Sequence, residues 1–274
     1  MARVTHTAAA APLGHSGAVA DLLVRREGAA LWLTLDRPDS FNALTGEMVA
    51  DLADALRGST ADADVRVVVL TGSGAAFCAG ADLGGEDPAE KYDGGSVDGA
   101  NALVRAVTDL AVPVVCGLNG VAAGVGMPLA LACDLVVAKR SASLTLAFTR
   151  IGLMPDGGAT ALVAAAVGRA RTMRMALLSE RIDAEEAHAA GLVSHVVDDA
   201  DYDETLAAVV ARVAAGPPLA YAATKKAVNA TTLADLEGAF ARERSGQSVL
   251  LRTSDAAEGM AAFAAKRRPT FRGE

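Results

Sequence analysis

Aromatic residues are scarce in this chain: one tryptophan, three tyrosines and six phenylalanines, 4% of 274 residues. With 52% of the residues hydrophobic, the core has to be filled by alanine, valine and leucine. Basic charge is short too. A net charge of −8 and a pI near 5.1 exclude a general nucleic-acid binder, which needs a basic face, but leave room for a local basic pocket that takes a phosphorylated cofactor. The three cysteines, Cys78, Cys116 and Cys133, are unevenly spaced and form no CxxC, so neither a disulfide framework nor a zinc site is indicated. A reducing cytoplasm fits that usage. No apolar run reaches the roughly 18 residues of a membrane span. Near the N-terminus Ala8–Leu13 is apolar and Ala18-Val19-Ala20 resembles a cleavage site, but Gly14, His15 and Ser16 break the run. Residues 1–20 therefore read as a flexible leader rather than a signal peptide.

What is there is an alternation of strand-like and helix-like segments. Asp21–Arg26 and Ala30–Leu35 read as a hairpin split at Glu27-Gly28, with Trp32 as a core aromatic. Leu44, Met48, Leu52, Ala55 and Leu56 share a face at helical spacing behind Thr45, a suitable N-cap. Val65–Leu70 (VRVVVL) and Val112–Leu118 are nearly continuous apolar runs, as for strands covered on both faces. A Gly-rich, charged stretch from Gly84 to Gly99 reads as a lid-like loop, Asn101–Leu110 as a helix, and Asp134–Ala138 and Ser143–Leu146 as strands. The pattern predicts an α/β layered core with parallel strands and right-handed crossovers. After Gly152 the texture becomes mostly helical, interrupted only by a strand at Leu192–Val197, and no internal repeat is visible.

Two glycine-rich turns follow buried strands: FCAGADL at 77–83 and NGVAAGVGMPLALACD at 119–134. Leu129 stands where a GxGxxG fingerprint needs its third glycine, and GxxxxGK[ST] occurs nowhere, so nucleotide-fold readings fail. The second turn opens an apolar helix whose first N–H groups are free to stabilise negative charge. A donor there and one from the first turn would form an oxyanion hole, worth a few kcal/mol per donor to an enolate. GHSG at 14–17 lacks the second glycine of a nucleophile elbow. Glu185-x-x-His188 is half of a di-iron pattern and reads as a solvated helix face; His195 reads as a satisfied structural histidine. Asp156, in IGLMPDGG at 151–158, has two readings. It is an N-cap, or a carboxylate in an apolar pocket whose raised pKa lets it take and return a proton.

FCAGADL, the NGxxAGxG turn before a helix ending ACD, the IGLxPDGG turn and the C-terminal EGMAAFAAKRRPTF together resemble the crotonase (enoyl-CoA hydratase/isomerase) superfamily, in the right order, from about Asp21 to Arg272. Through AGVG, LALACD, IGLMPDGG and GRARTM the chain is most similar to the phenylacetate-pathway isomerases of the 1,2-epoxyphenylacetyl-CoA type. The resemblance implies an α/β fold: a crotonase-like spiral of repeated ββα turns over 21–200, with a helical C-terminal trimerisation or capping region over 201–274. It implies an acyl-CoA thioester substrate, coenzyme A entering as part of that substrate, and assembly as a homotrimer or dimer of trimers; no further cofactor and no metal are expected, and the charge and the short apolar runs give no reason to expect a nucleic-acid or membrane partner. The oxyanion donors fall on the backbone N–H groups of Ala81 and Val125. The CoA moiety passes Arg37, Ala79, Asp82 and Leu83, and Phe263 and Lys266 complete its site, in many members from a neighbouring subunit.

The departures from the family pattern bear on the chemistry. Hydratases of the family use two glutamates; this chain has Pro128 at the first position and Phe148 near the second. Asp156 matches the catalytic aspartate of dienoyl-CoA and phenylacetate-pathway isomerases. The leading expectation is an isomerase with Asp156 as its single acid/base. The alternatives are an enoyl-CoA hydratase that recruits Asp156 with Glu86 or Asp87, and a catalytically silent acyl-CoA binder.

Overall fold

The computed structural model describes residues 21–83 and 94–274. The readings placed on residues 1–20, on the loop as far as residue 93, and on Glu86 and Asp87 lie outside the described residues.

The hairpin forms as expected: β1 (Leu22–Glu27) pairs antiparallel with β2 (Ala30–Leu35). Trp32 sits half-buried at the margin of the core, with the Arg25 guanidinium 5.3 Å from its ring centre. Thr45 caps α1 (Gly46–Ser59), its hydroxyl accepting the Met48 N–H at 3.1 Å, and Met48, Leu52 and Leu56 face inward. The chain then repeats one unit: a strand in a large sheet, a short strand in a small sheet, and a helix. β3 (Val67–Gly72), β4 (Ala76–Cys78) and α2 (Gly94–Asp109) make the first unit. β5 (Val114–Leu118), β6 (Val121–Ala123) and α3 (Gly126–Leu131) make the second. β7 (Leu135–Lys139), β8 (Ser143–Thr145) and, after a 3-10 turn at Ala147–Ile151, α4 (Ala159–Leu178) make the third. With β9 (Ile182–Asp183) and β10 (His195–Val197), the large sheet runs β1-β2-β3-β5-β7-β10 and the small one β4-β6-β8-β9. The spiral of ββα turns is therefore a repeat of geometry without a repeat of residues, which is why the sequence shows no period.

Side chains alternate across a strand, and here both faces are covered. Val68, Leu70, Val114, Cys116 and Leu118 point into the main core. Val67, Val69, Val115 and Val137 point the other way, against Tyr202, Leu206 and Val210 of α6 (Tyr202–Ala214). That double burial explains the unbroken apolar runs.

Four details differ from the sequence reading. The helix expected from Asn101 starts at Gly94, because Val97, Ala100, Leu103 and Val104 form one buried face that outweighs its glycines. The helical texture read after Gly152 begins only at Ala159, with α4, which breaks at Gly168. β9 is a second strand in the helical half, too short to carry a pattern. His195 lies on the edge strand β10 but is exposed, not a satisfied structural histidine. Glu185 and His188 do lie on a solvated face of α5 (Ala184–Ala189), and no metal-binding cluster exists among the described residues. The C-terminal helices α7 (Pro218–Thr232), α8 (Leu236–Leu250) and α9 (Ser254–Ala264) follow the Gly216-Pro217-Pro218 joint. No single helix among the described residues is long and apolar enough to cross a membrane.

Candidate active site

β4 and β6 are parallel neighbours, so the turns that follow them leave from the same end of the small sheet. The two turns touch. Gly80 has φ +104°, and a methyl group placed on it would lie 3.0 Å from the Ala123 carbonyl oxygen and 3.4 Å from Gly124 Cα. Only glycine allows this approach at that φ. Leu44 fixes the direction of the next peptide: its N–H donates to the Gly80 carbonyl at 2.8 Å, and its carbonyl accepts the Asp82 N–H at 2.9 Å. The Ala81 N–H, between those two groups, must point to the opposite side. Val125 stands at the N-cap of α3, where helical N–H groups lack intrahelical partners. Among the described residues neither the Ala81 nor the Val125 N–H has an acceptor.

Asn42 and Asn119, which the sequence reading did not single out, hold this arrangement. Asn119 donates to the Gly74 and Ala76 carbonyls at 3.0 and 3.1 Å and accepts the Gly72 N–H at 3.1 Å. Asn42 donates to the Ser73 and Ala76 carbonyls at 2.9 and 2.7 Å. Cys78 ends β4 fully buried, its thiol pushed up to about 12 by burial, so it is no nucleophile.

The turn that carries Asp156 approaches from the other side. A methyl group on Gly157 would lie 3.0 Å from Val125 Cγ2 and 3.4 Å from Pro128 Cγ. The residue after the acid thus packs against the Val125 side chain. Asp156 is not a cap. The N-cap residue of α4 is Gly158, at φ +77°, and it makes no side-chain cap bond. The cap is supplied by Glu243 of α8, 85 residues away. Its carboxylate accepts the Gly158 N–H at 2.7 Å and the Thr160 N–H and hydroxyl at 2.8 and 2.5 Å. Asp156 is thereby left available. It is 7% exposed, and its Oδ2 accepts from Gln247 Nε2 at 2.8 Å. Burial pushes its carboxyl up to about 7, the Gln247 hydrogen bond opposes that, and the nearby Glu243 charge adds to it. Pro128 and Phe148 are buried and have no proton to transfer.

Of the residues expected along the CoA path, the structure joins Arg37 to Asp82 at 3.2 Å. The same guanidinium meets Asp21 at 3.2 Å and donates to the Ala43 carbonyl at 2.7 Å, so its charge is answered within the protein. Ala79 is exposed next to them, and Leu83 is half-buried. Phe263 and Lys266 stand exposed at the end of α9, which packs on the Ala147–Ile151 turn. No hydrogen bond or ion pair joins them to the Arg37 group among the described residues. A cleft of about 650 Å³ lies elsewhere, lined by Leu131, Arg212, Tyr221 and Lys225, and it includes none of Ala81, Val125 and Asp156. At this cleft Asp134, which ends the ACD motif, accepts from Lys225 Nζ at 2.8 Å and from the Val114 N–H at 2.7 Å, pinning α7 to the core.

Residues 25–274 match the family model for enoyl-CoA hydratase/isomerase. The chain is 40% identical over 259 residues to the 1,2-epoxyphenylacetyl-CoA isomerase of Escherichia coli, covering 92% of this chain and 98% of that one. It is 44% identical over 249 residues to a probable enoyl-CoA hydratase of Rhodobacter capsulatus, covering 90% and 95%. An enoyl-CoA hydratase crystal structure from Mycobacterium avium subsp. paratuberculosis superposes with a TM-score of 0.87 at 46% identity, covering 93% of this chain and 99% of that one. With its spiral of ββα turns and full-length match, the chain belongs to the enoyl-CoA hydratase/isomerase family of crotonase-fold acyl-CoA enzymes.

Proposed function

We propose that the protein is an enoyl-CoA isomerase that shifts a double bond with Asp156 as its single acid/base. The observation that carries this reading is one buried carboxylate, uncommitted to capping, on a turn that meets the side chains of Val125 and Pro128, with Pro128 and Phe148 apolar where a second carboxylate would be needed. The Asp156 carboxylate removes a proton from the sp3 carbon α to the thioester carbonyl, or γ to it across the double bond. The electron pair moves onto the thioester oxygen, which the Ala81 and Val125 N–H groups hold as an enolate. Asp156, now a carboxylic acid, returns the proton at another carbon, and the double bond is displaced with no net change in composition. Each N–H donor is worth about 3 kcal/mol to the anion. A carboxyl that titrates near 7 exchanges protons in both directions at neutral pH. Moving a proton is redox-neutral, so the reaction calls for no cofactor beyond the CoA of the substrate.

In this reading the CoA moiety runs past Arg37, Ala79, Asp82 and Leu83. Phe263 and Lys266 reach it from a neighbouring copy in a homotrimer or dimer of trimers, with residues 201–274 as the assembly and capping region. The isomerase name of the Escherichia coli relative supports the reading. The hydratase name of the Rhodobacter relative favours a second one, in which Asp156 shares water addition with Glu86 or Asp87. The test is a direct comparison of crotonyl-CoA hydration with double-bond migration in a 3-enoyl-CoA. Migration without hydration is expected; hydration lost on changing Glu86 or Asp87 transfers the assignment to hydratase.

A further inference from the structure

The buried face of α8 runs Leu236, Ala239, Phe240, Glu243, Gln247. The stripe begins apolar and ends in two polar residues at i, i+4 spacing, both fully buried. A polar group in such a position must be bonded. Glu243 is occupied as the remote cap of α4. Gln247 is differently engaged. Its Oε1 accepts the Met154 N–H at 3.1 Å, and its Nε2 donates to Asp156 Oδ2 at 2.8 Å. A backbone N–H can only donate, so Met154 fixes the amide orientation and obliges Nε2 to face Asp156. The helix is held in place from outside. Arg105 grips Glu237 at 2.6 and 2.8 Å, and Arg244 grips Asp98 at 2.6 and 2.9 Å, two bidentate links between α2 and α8. Gly246 allows close approach, since a methyl group there would lie 2.3 Å from Met154 Sδ.

We propose that Gln247 is the positioning residue of the reaction: it clamps Asp156 Oδ2 as an obligate acceptor and so makes Oδ1 the oxygen that takes and returns the substrate proton. Oδ2 faces an N–H and stays unprotonated in both states of the cycle. Oδ1 has no hydrogen-bond partner among the described residues. The clamp holds the carboxyl plane still while the proton moves, and through α8 it ties the acid/base to the helical C-terminal region. The charged group facing Asp156 is Glu243, with Arg242 beside it. The neighbours of the turn on α2 and at the start of α3 (Ala100, Val125 and Pro128) carry no charge. This inference rests on Asp156 being the acid/base.

The test has two arms. In the wild-type protein, the side-chain amide protons of Gln247 should shift with pH at the midpoint of Asp156, and that titration should vanish in Asp156→Asn; an amide that does not sense the carboxyl overturns the clamp. In kinetics, Gln247→Leu removes the donor. The expected result is a fall in kcat on the order of 10²-fold with KM little changed, together with an upward move of the acid limb of the pH profile, because the bond that lowers the Asp156 pKa is gone. Gln247→Glu keeps an acceptor for Met154 and serves where the leucine variant does not fold; it should move the acid limb up as well. An unmoved acid limb and unchanged kcat in a folded variant overturn the proposal. Full activity in Asp156→Asn would instead defeat the acid/base reading, so the two failures are distinguishable.

Discussion

Replacing Asp156 with asparagine should stabilise the protein while it disables the site. The carboxyl titrates at about 7 in the folded chain against an ordinary value of 3.8, chiefly because burial penalises the charged form. At about 1.4 kcal/mol per pH unit, that difference amounts to about 4 kcal/mol. The sign follows from proton linkage. Between pH 3.8 and 7 the folded state binds the proton at this carboxyl and the unfolded state does not, so the contribution of Asp156 to stability falls as pH rises through this window and is flat above it. Asparagine fills the same volume, offers Gln247 the same acceptor and never ionises. Urea unfolding at pH 4.5, 6 and 8 and fixed protein concentration should show the variant close to wild type at the lowest pH. At pH 8 it should be more stable by several kcal/mol, with about 4 as the upper bound. A variant that is less stable at pH 8, or a difference that does not grow with pH, would refute the claim that the carboxylate is held at the cost of folding.

Three further outcomes follow from the same contacts. Lys225→Met leaves Asp134 with its backbone partner but no counter-charge and should cost about 3 kcal/mol in urea unfolding; adding Asp134→Asn should recover part of that, whereas strictly additive losses would contradict the pairing. Glu243→Ala strips the cap from Gly158 and Thr160 and should cost about 2–4 kcal/mol, read as a lowered Tm, with Glu243→Gln losing less. Gly80→Ala forces a side chain to φ +104° against the Ala123 carbonyl; it should lower stability by about 1–3 kcal/mol and reduce the proposed isomerase turnover, and an unaffected turnover would count against the proposed role of this turn in holding an enolate.

Much of the fold was legible because its signals are local. Thr45 announced its helix, and the alternating burial of Val67 to Leu70 requires the apolar run that marked the strand. The close approach of the two glycine-rich turns was legible too, since Gly80 and Gly124 stand where two backbones meet. Asp156 was ambiguous for a physical reason. An aspartate before two glycines and a helix has the local chemistry of a cap, and only Glu243, far along the chain, takes that role away from it. Glu243 and Gln247 carried a signal that went unread: two polar residues continuing the apolar stripe of α8. The strand at His195 was legible but its exposure was not, because a short edge strand gives no pattern from which burial can be inferred.

The most direct measurement follows solvent deuterium. The protein is incubated in D₂O with 2-enoyl- and 3-enoyl-CoA thioesters, and label uptake and double-bond position are read by NMR and mass spectrometry for wild type and Asp156→Asn. The account predicts exchange and double-bond migration in the wild type, no water addition, and loss of both in the variant, which stays folded. Undiminished exchange in the variant, or water addition as the principal reaction, would contradict it.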